Sequence, residues 1–98
     1  MTKEKLILEF SDDNMREELF SFADIPEKWL KGGFIVELDH YEILDALEDI
    51  ASHVKDVEFE GGPGMSGHYY KVYAYDLNSF RKALTKRLME LLDKFYGS

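Results

Sequence analysis

Residues 39–54 constrain the fold more than any other stretch of this chain. Ile43, Leu44, Leu47, Ile50, Ala51 and Val54 fall within about 120° of a helical wheel, so a helix here has one apolar stripe to bury. Asp39 followed by Glu42 reads as an N-cap with a carboxylate at N3, resembling a capping box, and it sets the start of the helix. Asp39, Glu42, Asp45, Glu48 and Asp49 lie mainly on the opposite side. A helix with one apolar stripe needs a second layer to cover it.

The rest of the chain supplies that layer. Leu6–Phe10 is a short apolar run that reads as a strand, and Phe34–Leu38 reads as a second. Asp56–Glu60 alternates: Val57 and Phe59 face one way, Asp56, Glu58 and Glu60 the other. Gly61–Gly67 reads as a flexible loop leading into His68–Tyr75, the expected partner strand of a hairpin. Ser11 or Asp12 can cap a helix carrying Met15, Leu19 and Phe22 at i, i+4 and i+7. Pro26 interrupts it, and Pro26–Lys31 reads as a further helical turn that buries Trp29 and Leu30. Asp76 caps the last helix, with Leu77, Phe80, Leu84, Leu88, Leu91 and Phe95 as its apolar stripe. The expected fold is a single compact α+β domain over residues 1–98. It has about four strands in a mixed sheet, with helices packed on one face, in the order β-α-(α)-β-α-β-β-α. Apolar residues recur four and eight positions after Ser11, Asp39 and Asp76, a pattern that a worn internal repeat would leave but that any strand-then-helix unit also requires, and the second reading is favoured.

Charge divides the chain. Residues 1–60 hold 17 acids against 6 bases, and residues 61–98 hold 3 against 6, for an overall net charge of −8. Such a surface repels nucleic acid and anionic membrane and attracts a basic partner. The acids on residues 39–49 have no interleaved lysine to make i, i+4 pairs, so they form a carboxylate ridge at some cost to the helix. Carboxylates three or four residues apart on a helix stand about 5–6 Å from one another, a spacing comparable with a phosphate backbone. Arg81, Lys82, Lys86 and Arg87 make the last helix basic, with Glu90 placed to pair with Lys86. An acidic ridge and a basic helix on one molecule also suit self-association as a homodimer.

Chemistry is harder to place on these residues. The chain has no cysteine, which excludes disulfides, zinc–thiolate sites and thiol catalysis. Gly62, Gly64 and Gly67 spell G-x-G-x-x-G, yet they lead into a strand, whereas the dinucleotide fingerprint needs a helix N-terminus there. His40 and His53 stand thirteen residues apart on one helix, roughly 20 Å, and cannot share an ion within one chain. Ser66 and His68 lack a nucleophile elbow and an orienting acid, so a hydrolase is the least favoured reading. No catalytic residue, cofactor or metal is expected. The N-terminus lacks the apolar run of a signal peptide and no window reaches the length of a membrane span, so a cytoplasmic location is expected.

Tyr69, Tyr70, Tyr73 and Tyr75 exceed what one sheet face can bury. Tyr69, Lys71, Tyr73 and Tyr75 share one face of the strand, and His68, Tyr70, Val72 and Ala74 the other. Tyrosine is enriched in interface hot spots. The expected contact residues are therefore Asp39, Glu42, Asp45, Glu48, Asp49, Glu58, Glu60, Tyr69 and Tyr73.

The stretch Asp76-Leu77-x-Ser79-Phe80-Arg81-x-x-Leu84, following a strand, resembles the start of the last helix in the small dimerising subunit of the KEOPS tRNA-modification complex. That family also runs β-α-β-β-α, as Phe34–Phe95 would, and the resemblance implies a dimerising accessory subunit. The residues themselves favour another reading. It is a small acidic protein-binding module that docks on a basic surface of a larger, nucleic-acid-handling protein and inhibits or regulates it. A phage-type inhibitor that mimics nucleic acid works this way.

Overall fold

A computed structural model describes residues 4–31, 39–64 and 67–96. Strand β1 (Leu6–Ser11) is followed by helices α1 (Met15–Phe22), α2 (Glu27–Lys31) and α3 (His40–His53). The chain then returns through strands β2 (Val57–Gly64) and β3 (Gly67–Ala74) and ends in helix α4 (Leu77–Tyr96). The three strands among the described residues form one sheet in the order β1-β3-β2, antiparallel at both seams. The sequence reading expected a mixed sheet of about four strands. Phe34–Leu38, read as the second strand, lies outside the described residues. The sheet is purely antiparallel because β1 pairs with the far side of β3, Leu6 opposite Ala74 through Ser11 opposite Tyr69.

Alternation along each strand sorts the side chains. Leu6, Leu8 and Phe10 of β1, Val57 and Phe59 of β2, and Tyr70, Val72 and Ala74 of β3 point into the core. They meet Met15, Leu19, Ile43, Leu47, Ile50, Phe80, Leu84, Leu88 and Leu92, all buried, from the helices. All the described helices thus cover one face of the sheet. A Cα radius of gyration of 13.3 Å is close to the value of about 13 Å for a compact chain of this length. No described helix is long and apolar enough to cross a membrane.

Several local expectations shift for identifiable reasons. Helix α1 begins at Met15 with Asn14 in the capping position, not Ser11 or Asp12. Asn14 Oδ1 reaches back and accepts from the Ser11 N–H (2.7 Å) and hydroxyl (3.1 Å), which holds the strand-to-helix turn. Asp39 caps α3, as its spacing predicts, by accepting from the Tyr41 N–H at 3.0 Å. Asp76 caps α4 by accepting from the Ser79 N–H and hydroxyl. The apolar stripe of α4 runs Phe80, Leu84, Leu88, Leu92, while Leu91 is half-buried and Phe95 exposed. Residues four apart form the ridge that packs against α3 and into the shared core, so the stripe follows that row to Leu92.

The expected loop at Gly61–Gly67 is mostly strand. The β2–β3 ladder continues to Gly64 opposite Gly67, leaving residues 65–66 outside the described set. Pro63 sits in this ladder opposite His68, which β2 tolerates because it lies at the sheet edge. Strand β2 starts at Val57, one residue late, since Asp56 adopts a left-handed φ of 65° at the turn from α3.

Candidate functional site

The residues singled out from the sequence fall on two surfaces. Asp39, Glu42, Asp45, Glu48 and Asp49 belong to α3 and its cap, and Ile43, Ala46, Leu47 and Ile50 of the same helix pack into the core. Asp45 and Glu48 are exposed, and Glu42 and Asp49 are partly covered. Asp49 is not a free member of the ridge. Arg87 Nη2 of α4 stands 3.4 Å from its carboxylate, and His53 Nδ1 lies 3.2 Å from it. Arg87 also reaches Glu90 at 3.1 Å, so Glu90 pairs with Arg87 in place of the expected Lys86. The helix pair therefore neutralises one end of the ridge. The local sequence offered no base before Lys55, and the base comes from 38 residues downstream of Asp49.

Glu58, Glu60, Tyr69 and Tyr73 come together on the face of the sheet that no described helix covers. Cross-strand register builds it in rows. Ile7, Tyr73 and Glu58 form one row, Glu9, Lys71 and Glu60 the next, and Ser11 and Tyr69 a third. Ile7 is 63% exposed, Tyr69 55% and Tyr75 48%. Large side chains this exposed on one sheet face are the arrangement that protein interfaces use.

Electrostatics on this face are set by short-range pairs. Lys71 Nζ lies 3.0 Å from Glu9 Oε1, and that hydrogen bond raises the Lys71 pKa above its ordinary value. The same ammonium stands 5.5 Å from the centre of the Tyr73 ring, and Lys5 stands 5.9 Å from that of Tyr75. Both distances are in cation–π range. Glu58 and Glu60 form no ion pair with any described residue.

Tyr70 points the other way, into the helical layer. Its hydroxyl donates to Asp12 Oδ1 at 2.9 Å, and its ring stacks on Phe10 and Phe59. Burial, then the hydrogen bond to Asp12, pushes its pKa up to about 12. Opposite it, a Cβ on Gly61 would run into the Tyr70 ring, so only glycine lets Tyr70 lie across β2. The glycines at 61, 62 and 64 are strand positions followed by β3, not a phosphate loop opening a helix.

Lys71 and Tyr75 lie on the face that alternation predicts, although outside the expected contact set, and β1 adds Ile7 and Glu9 to it. The signal was available: Leu6, Leu8 and Phe10 alternate with Ile7 and Glu9, which is the pattern of a half-solvated strand.

No family model, curated protein or solved structure matches the chain. The resemblance at Asp76–Leu84 accordingly rests on that stretch alone.

Proposed function

We propose that this protein is a binding module, not an enzyme, and that its open sheet face docks on a basic surface of a larger protein that it inhibits or regulates. One observation carries the reading: Tyr69, Tyr73 and Ile7 share a face with Glu58 and Glu60, with every described helix on the other side of the sheet. Tyrosines supply large rigid contact area, and the carboxylates, unpaired among the described residues, favour a partner bearing arginine or lysine. Nucleic-acid-handling proteins offer such surfaces. The ridge of Glu42, Asp45 and Glu48 adds to the negative field that steers the encounter.

Aromatic rings on an open antiparallel sheet also serve as stacking platforms for single-stranded nucleic acid. Those platforms combine rings with a positive groove. Here Glu9, Glu58 and Glu60 stand among the rings, and the chain carries −8, which opposes a phosphate backbone.

The test is capture of a partner from lysate, its identification by mass spectrometry, and affinity measurement with purified components. Tyr69→Ala with Tyr73→Ala should weaken binding by about 30-fold, as loss of a hot spot of about 2 kcal/mol does. Glu42→Lys with Asp45→Lys should mainly slow association at low salt, since steering is screened. Asp49 is left intact because Arg87 holds it. A captured partner without a basic surface, or affinity unchanged by both variants, sinks the reading. Sedimentation of the isolated chain as a dimer that the tyrosine variant dissociates would favour the dimerising subunit instead.

A further inference from the structure

We infer that the hollow between α3 and β2 is a cation site that receives an arginine side chain of the partner, an inference that rests on the proposed binding function. The hollow has a volume of about 320 Å³ and is lined by Leu44, Glu48, Phe59, Gly61 and Tyr70. It is distinct from the open sheet face, because Phe59 and Tyr70 point to the helical side of the sheet.

Its floor is aromatic. The Phe59 and Tyr70 rings lie nearly parallel, at 12°, with centroids 6.0 Å apart, and Phe10 stacks on Tyr70 from beyond at 5.6 Å. The hydrogen bond to Asp12 pins the Tyr70 ring, and the bare Cα of Gly61 leaves room for it. A stacked, immobilised pair of rings presents a π face that a planar guanidinium covers well.

Its rim is anionic. Glu48 is exposed and has no hydrogen bond or ion pair with any described residue. Guanidinium fits a carboxylate in a bidentate fork and stacks on aromatic rings, a combination that ammonium makes less well. At about 320 Å³ the hollow lies at the small end of the roughly 300–1,000 Å³ range of ligand pockets, which is room for one side chain.

The inference is tested by titrating the full chain with Nα-acetyl-arginine amide and following backbone and aromatic NMR shifts. Saturable shifts should concentrate on Leu44, Glu48, Phe59, Gly61 and Tyr70, with a Kd of order 1 mM for a ligand of this size. The uncharged isostere Nα-acetyl-citrulline amide should produce no saturable shift there. Glu48→Gln should weaken arginine binding about fivefold and leave the rest of the spectrum in place. Phe59→Leu, which keeps an apolar side chain in the seam, should weaken it as well. Equal binding of citrulline, or arginine shifts spread along residues 39–49 without saturation, overturns the site. If arginine fails to bind while partner capture still depends on Tyr69 and Tyr73, the hollow falls and the binding function stands. If the hollow takes arginine and no basic partner is captured, the binding function falls and the site stands.

Discussion

The α3 ridge and the open face of the sheet differ in how their exposed groups are explained. On α3 the acids lie opposite a stripe that fills the core, and a charged outer face is what any surface helix needs. Tertiary packing even neutralises part of it, since Arg87 meets Asp49. On the sheet, Ile7 and Tyr69 are large and more than half exposed, and solubility gives no reason for them. Charge density alone is therefore a weaker pointer to a contact surface than apolar area without a cover.

The sharpest way to test that contrast is to truncate one residue on each side of the covered boundary. Leu47→Ala removes a buried side chain beneath the ridge and should cost about 2–5 kcal/mol in denaturant unfolding. Ile7→Thr keeps a β-branched residue on the open face and should change stability by no more than about 0.5 kcal/mol. A large loss at Ile7 would mean that this face is packed in the folded protein.

Tyr70 tests the layer between the two surfaces. Tyr70→Phe removes the hydroxyl that donates to Asp12 and should cost about 1–2 kcal/mol, a hydrogen bond to a charged group in a partly buried setting. The pH dependence has a definite sign. Below the ordinary tyrosine value of 10.0 this contribution is fully present. Between there and about 12 the unfolded chain has released the proton while the folded chain keeps it, so stability falls as pH rises. Unfolding measured from pH 8 to 12 should show a steeper fall for the wild type than for Tyr70→Phe.

A small effect belongs to the ridge. A double-mutant cycle with Asp49→Ala and Arg87→Ala should give a coupling of about 0.2–1 kcal/mol, as partly exposed ion pairs do. It should shrink in 1 M salt. A coupling near zero would return Asp49 to the free ridge and restore the simple picture of five solvated acids.

Much of this was legible in local sequence. The Asp39 and Asp76 caps, the Ile43–Leu47–Ile50 stripe and the two faces of β3 follow from side-chain spacing, and each occurs where the spacing puts it. Beyond Leu88 local spacing does not decide the α4 stripe, because Leu91 and Leu92 both suit a helix and only the neighbouring elements select Leu92. Glycine and proline signal turns, so local sequence predicts a loop at Gly61–Gly67. The register instead carries the ladder through Gly61, Gly62 and Pro63, where edge position and the Tyr70 ring make them acceptable.

The sequence by itself determined the described helices, the apolar parts of the strands and which side of each is apolar, since those depend on periods of 3.6 and 2 within a few residues. Only the tertiary structure decided that β1 lies against β3, that Arg87 reaches Asp49, and that Phe59, Tyr70 and Glu48 line one hollow. Such juxtapositions join residues far apart in the chain. They are selected by many weak packing contacts acting together, and no local pattern records them.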